Sequence, residues 1–353
     1  MSRSNQRHLF SGLLILAAIY ATPAQASWLA GAFAKIVQSP SYVIVPNVLD
    51  NQPRPTEGCD PGPRRHTQAG AGQAPGVRHH GCVQNGRNVV FTVSVPRACE
   101  TRSCGLIVDQ HGASMNAQMQ DRGTRLRAYG RDAEHFGAQS PYIVVQPNMT
   151  DLSDDASGRL DLESVVGGAY ANELPILVGF VRQAIVAWGV DTKRVHFHGF
   201  SRGGSTANAL HCEASTRDIF ASYAVSGAGL GCAPASPTIQ INGLADPRVQ
   251  DADKAVQAFK QQGASSQTIA SDPNWQRPKL VFQDMRLDLV GGHEHTRHVL
   301  SGLALENVRH SGAYAPTAGH CLPAKGAPSW LVCSATFDMG RKILDFFIQH
   351  PKP

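Results

Sequence analysis

The run Arg194-Val195-His196-Phe197-His198-Gly199-Phe200-Ser201-Arg202-Gly203-Gly204 constrains this chain more than any other stretch. A serine with a glycine two residues to either side has the G-x-S-x-G spacing of a sharp strand-to-helix turn. Val195, Phe197 and Phe200 suit a short strand over 194–200, and Gly203 to Leu210 reads as the start of a helix. On such a turn the Ser201 hydroxyl projects above a sheet, and small residues let helix and strand approach closely. The backbone N–H of Arg202, at the helix start, then points to where an oxyanion would form. The spacing alone also fits a structural glycine turn; the strand before it and the helix after it favour a nucleophilic Ser201.

The first 26 residues carry an export pattern. Arg3, Arg7 and His8 are basic, Leu9 to Ala21 is apolar apart from Ser11 and Gly12, and Ala24-Gln25-Ala26 is a small-x-small cleavage site. The apolar run falls short of the ~20 residues a membrane span needs. The expectation is a signal peptide over 1–26 and a secreted or periplasmic mature protein free of the membrane, with an uncleaved anchor as the alternative. Losing Arg3 and Arg7 lowers the formal net charge from +5 to +3. With no dense Lys/Arg run among aromatics, nucleic acid is not an expected partner.

All eight cysteines follow that segment: Cys59, Cys82, Cys99, Cys104, Cys212, Cys232, Cys321 and Cys333. An even number in an exported chain argues for disulfides, and sequence order suggests the pairs 59–82, 99–104, 212–232 and 321–333. Cys99–Cys104 would close a short loop between two expected strands. The absence of any C-x-x-C pair argues against the rival zinc site.

Residues 27–85 are rich in Gly, Pro and polar residues, as in Gln52-Pro53-Arg54-Pro55 and Ala69-Gly70-Ala71-Gly72. They read as an extended arm pinned through Cys59 and Cys82. From residue 86 to 353 strands and helices alternate. Strands are expected at 88–95, 105–109, 142–146, 194–200, 237–242 and 279–282, and helices at 175–188 and 335–348. Pro175 suits a first turn; Leu177, Val178, Val181, Ile185 and Trp188 form one stripe, and Gly189 ends it. Such alternation predicts one α/β domain, a mostly parallel sheet with helices on both faces. No internal repeat and no linker to a separate binding module is visible.

A nucleophilic serine needs a base, an orienting acid and oxyanion donors. Asp246 follows the apolar run Ile239-Gln240-Ile241-Asn242 and a turn, although Asp246-Pro247 could be a turn aspartate only. His320, in Ala318-Gly319-His320-Cys321-Leu322-Pro323, lies just before the last helix, where a Cys321–Cys333 bridge would hold its loop. Its competitors are His293, His295 and His298, which with Glu294 could instead ligate a metal or sit on a solvated loop. The second oxyanion donor is expected after the strand Leu106-Ile107-Val108-Asp109, in Gln110-His111-Gly112-Ala113, with the Ala113 N–H as candidate. A plain turn there is the alternative.

Together, Cys104 to Gly112, Val190 to Gly204, Gly243-Leu244-Ala245-Asp246-Pro247 and Gly319-His320-Cys321-Leu322-Pro323 resemble the secreted esterases that include polyhydroxybutyrate depolymerases and feruloyl esterases. The resemblance covers roughly residues 86–350. It implies an α/β-hydrolase fold, a Ser201–Asp246–His320 triad, no cofactor and no metal, and an ester or polyester substrate. Two departures bear on the substrate. Cys321 and Leu322 stand where the family often has tryptophan and proline, and the stretch from Gly263 to Ser311 is longer than the family leads one to expect. The first expectation is hydrolysis of polyhydroxyalkanoates or their oligomers, then of feruloyl or other aromatic esters. A serine peptidase on the same fold is a rival. So is a binding protein that has lost catalysis, against which the intact Ser, Asp and His argue.

Overall fold

The computed structural model describes residues 56–57, 59–68, 76–84, 87–113, 115–149, 173–230, 232, 236–243, 246, 249–271, 281–288, 294–301, 320–324, 332–334 and 337–353. The expected signal peptide, the arm up to residue 55, and His293 lie outside them. Among the described residues one sheet contains Thr56–Glu57 (β1), Arg78–Gln84 (β2), Arg87–Ser94 (β3), Gly105–Gln110 (β4), Tyr142–Asn148 (β5) and Val195–Phe200 (β6). It continues with Ser222–Ser226 (β7), Thr238–Gly243 (β8), Ser265–Ser271 (β9), Val281–Asp288 (β10) and Glu294–Ser301 (β11). Leu322–Ala324 (β12) and Val332–Ser334 (β13) form a separate parallel pair. The helices are Ala117–Thr124 (α1), Leu126–Arg131 (α2), Leu174–Ala187 (α3), Arg202–Cys212 (α4), Val249–Gln261 (α5) and Met339–Gln349 (α6).

The sheet order is β1-β2-β3-β5-β4-β6-β7-β8-β11-β10-β9. Its middle, β5-β4-β6-β7-β8, is all parallel and buried along every strand. Side chains alternate across a strand, so the core divides by parity. Leu106, Val108, Ile143 and Val145 join one cluster with Leu177, Phe180 and Val181 of α3 and Leu210 of α4. Ile107, Tyr142 and Val144 join the other, with Leu126 of α2 and Ile343, Leu344 and Phe347 of α6. Helices on both faces are what near-continuous apolar parallel strands require.

Helix ends follow local chemistry. Asn116 caps α1 by accepting from the Met119 N–H at 2.9 Å. Pro175 sits in the first turn of α3, where a missing N–H costs nothing. Beyond Trp188, Gly189 takes a left-handed φ of 56° and ends it. Ser222–Ser226 and Glu294–Ser301 are strands that the sequence pattern does not single out, and Arg78–Gln84, inside the expected arm, is a sheet strand paired antiparallel with β3.

Two bridges form as expected: Cys99–Cys104 just before β4, and Cys212–Cys232, which ties the end of α4 to the segment after β7. Cys321 is disulfide-bonded, while the side chain of Cys333, its expected partner, lies outside the described residues. The expected 59–82 bridge is corrected. Cys59 and Cys82 are buried free thiols, hydrogen-bonded to each other. They pack in the cluster of Val89, Phe91 and Phe180 as small apolar groups, which is how an unoxidised cysteine commonly serves a core. Alkylation under denaturing, non-reducing conditions should modify Cys59 and Cys82 and spare Cys99, Cys104, Cys212 and Cys232; a linked Cys59–Cys82 peptide in the mass spectrum would overturn the thiol state.

Phe91 is fully buried and stacks on Phe180 with ring centroids 4.0 Å apart. Phe91→Ala should destabilise the fold by about 3–5 kcal/mol. The measurement is the urea midpoint at unchanged slope; a midpoint equal to wild type would show that this stack does not hold the core.

Candidate active site

The turn after β6 is forced by two glycines. A Cβ on Gly199 would stand 2.0 Å from the Gly203 carbonyl oxygen, so strand and helix meet there backbone to backbone. On the other side, a Cβ on Gly112 would stand 3.0 Å from the Ser201 Cβ, which brings the loop after β4 against the same turn. Ser201 itself has φ 54° and ψ −114°, a conformation non-glycine residues rarely adopt. Such strain typically costs about 1–3 kcal/mol and persists only where the surroundings over-determine it. Here the Ser201 N–H donates to the Ser226 carbonyl at 2.8 Å, and the Ser201 carbonyl accepts from the Ser205 N–H at 3.0 Å.

The imidazole facing that serine belongs to His320. Its Nε2 lies 2.9 Å from Ser201 Oγ and its Nδ1 lies 2.9 Å from Asp246 Oδ2. A carboxylate only accepts, so Nδ1 carries the proton and Nε2 presents its lone pair to the serine hydroxyl. Asp246 is 1% exposed, whereas the His320 side chain is 18% exposed. The carboxylate is therefore sealed and the imidazole reaches solvent.

Each partner is set by its own element. Asp246 follows β8 by a turn in which its N–H donates to the Gly243 carbonyl at 3.0 Å. His320 precedes the bonded Cys321 and the fully buried Leu322, and Leu322 lies against Gly123 of α1 so tightly that a Cβ there would be 2.5 Å from its Cδ1. The Phe200 ring lies 5.1 Å from that of His320 and walls one side of it. His295 and His298 lie elsewhere, on β11 between β8 and β10.

Ala113 is a half-buried turn residue directly after Gly112, and Arg202 is the first residue of α4. The N–H of Arg202 thus lies at the start of α4, directly after Ser201. The loop of Ala113 is held by His111. Its Nε2 accepts from the Met149 N–H at 3.1 Å and its Nδ1–H donates to the Gly112 carbonyl at 2.7 Å. Burial lowers the pKa of His111 to about 4, so the ring stays neutral and keeps this tautomer. Sequence reasoning gave His111 no such role.

It also missed Asp109 and His198, buried side by side beneath the turn. The signal was present. A carboxylate and an imidazole inside strands that are buried along their whole length must find each other or another partner.

Three features together define an α/β-hydrolase fold: a parallel core with helices on both faces, antiparallel strands flanking it on both sides, and a serine on a strained turn at the carboxyl end of β6. No family model and no curated protein matches the sequence. Among solved structures, the chain is similar to a thermostable esterase at 15% identity and a TM-score of 0.45, over 69% of this chain and 58% of the other. It is similar to an acetyl xylan esterase from Aspergillus awamori at 13% identity and TM-score 0.40, over 60% and 87% of the two chains. It is also similar to a poly(3-hydroxybutyrate) depolymerase from Bordetella parapertussis at 17% identity and TM-score 0.36, over 54% and 80%.

If His320 is the base, alanine at 320 should remove turnover on a soluble ester, while alanine at 293, 295 or 298 should leave most of it. Loss confined to one of those three, reversed by added divalent metal after chelation, would move the site to the β11 region.

Proposed function

We propose that this protein is a serine esterase acting through Ser201, His320 and Asp246. One observation carries the reading: an unbroken hydrogen-bonded chain, 2.9 Å at each link, from a buried carboxylate through an imidazole to a serine on a strained turn. The Ser201 hydroxyl attacks the ester carbonyl while His320 Nε2 takes its proton. Asp246 keeps the imidazole in the Nδ1–H tautomer and stabilises the imidazolium. The Ala113 and Arg202 N–H groups hold the oxyanion, an effect commonly worth about a hundred- to a thousandfold per donor. The tetrahedral adduct collapses, the imidazolium protonates the departing alcohol, and a water deprotonated by His320 then releases the acid from Ser201. Every step uses protons and electron pairs held by these residues, the ester and water.

The substrate class we assign is the short-chain polyhydroxyalkanoates and their oligomers, on the residues that resemble the depolymerase and feruloyl esterase family. The export pattern at 1–26 and the Cys99–Cys104 and Cys212–Cys232 bridges support a secreted or periplasmic location. Among the described residues, no helix is long and apolar enough to cross a membrane.

A fluorophosphonate probe should label the wild-type protein and not Ser201→Ala, with turnover of p-nitrophenyl butyrate falling at least about a thousandfold. Equal labelling of the two would remove Ser201 from the mechanism. In the same assay, hydroxybutyrate oligomers should outpace methyl ferulate and a peptide anilide. Preference for ferulate would shift the assignment to aromatic esters, and cleavage of the anilide would shift it to a peptidase.

A further inference from the structure

A second chain of serine, histidine and aspartate lies beneath the turn, and the proposed reaction does not use it. Asp109 and His198 are register partners in the β4–β6 pair. His198 Nδ1–H donates to Asp109 Oδ1 at 2.8 Å, and His198 Nε2 bonds Ser226 Oγ at 3.1 Å. Asp109 and His198 are fully buried and Ser226 is 2% exposed, so none of them can meet a substrate. Asp109 also accepts from Gln120 Nε2 at 2.7 Å, from Thr124 Oγ1 at 2.7 Å and from Gln146 Nε2 at 2.6 Å. Burial opposes its charge, but the bonds from His198, Gln120 and Gln146 outweigh it and hold the carboxyl below its usual range.

A carboxylate saturated by donors in a low-dielectric interior is a rigid joint. This one joins the pieces that frame the proposed oxyanion site. Asp109 stands on the strand that enters the loop of Gly112 and Ala113. Gln120 and Thr124 stand on α1, the helix that leaves that loop. His198 stands on the strand that ends at Ser201. Through His198 the chain reaches Ser226, whose carbonyl takes the Ser201 N–H at 2.8 Å.

We propose that Asp109 and His198 are positioning residues that set the gap between the Ala113 loop and the Ser201 turn, and so tune stabilisation of the oxyanion. The inference rests on the esterase reading above. Its signature differs from that of a stability role: a misplaced donor weakens the tetrahedral state and leaves ground-state binding alone. Misplacement by ~1 Å can cost on the order of a hundredfold in rate.

The test measures kcat, KM and the inhibition constant of a phenylboronic acid, which adds Ser201 Oγ to boron and sets a boron-bound oxygen in the oxyanion site. Asp109→Asn turns an amide N–H₂ toward groups that are themselves donors, and His198→Gln removes the joint to Ser226. Both should lower kcat ten- to a hundredfold, with KM within threefold and boronate affinity falling in step with kcat. Ser226→Ala removes the bond to His198, and Thr124→Val removes the bond to Asp109 with the longer one from the Leu126 N–H; these smaller changes should show the same pattern at about three- to tenfold. Phe91→Leu, remote from the turn, controls for lost stability. The inference is overturned if the folded variants keep wild-type kcat and boronate affinity, or if Phe91→Leu reproduces their pattern. An inactive, boronate-indifferent wild type would instead refute the esterase reading itself.

Discussion

The site depends on the backbone contact between Gly199 and Gly203. Any side chain at 199 would need the space that the Gly203 carbonyl fills at 2.0 Å, so strand β6 can turn into helix α4 only with glycine there. That contact leaves Ser201 no relaxed conformation, and its φ of 54° is the consequence. The strain is offset by bonds at both ends of the residue, to the Ser226 carbonyl and from the Ser205 N–H. The backbone held this way keeps the Ser201 Cα facing His320, whose Nε2 lies 2.9 Å from the Ser201 hydroxyl. The entropy of aligning the two is met on folding rather than on binding.

The histidine is placed by different means. No regular strand or helix carries His320; the residues on its C-terminal side fix its position. Leu322 is wedged on Gly123 of α1, and α6 closes over that side of the sheet by stacking Phe347 on His196, with ring centroids 4.7 Å apart. His320 is thus indexed to the same helix, α1, whose Gln120 and Thr124 grip Asp109. Ser201, His320 and the Ala113 loop share one reference frame, although 119 residues separate Ser201 from His320 in the chain.

The elements with strong local signals are legible in the sequence. The turn at Ser201, the helix begun by Pro175 and ended by Gly189, and the strands at 105–110, 142–148 and 238–243 all announce themselves by apolar runs and punctuation. The candidate acid and base are legible by order alone, because each follows or precedes a recognisable element. What is illegible is the polar interior. Ser222-Tyr223-Ala224-Val225-Ser226 does not read as a strand, since its serines look like turn residues. In the sheet they are answered from β6: Ser222 Oγ lies 2.8 Å from His196 Nδ1, and Ser226 pairs with His198. The cysteine count misleads in the same way. Proximity along the chain and an even number point to a 59–82 bridge, but the two sulfurs meet in the core as thiols.

Two Ser–His–Asp chains have matching atoms and nearly matching distances, and hydrogen-bond geometry does not tell them apart. Solvent access does. Ser201 is half-buried and the His320 side chain 18% exposed, so a carbonyl and then a water can reach them. Ser226, His198 and Asp109 are closed off, and the lone pairs of Asp109 are already taken by Gln120, Thr124 and Gln146. An acid so saturated gives a fixed frame. The same three residue types therefore serve as a joint below the turn and, on the reading proposed, as the reacting groups above it.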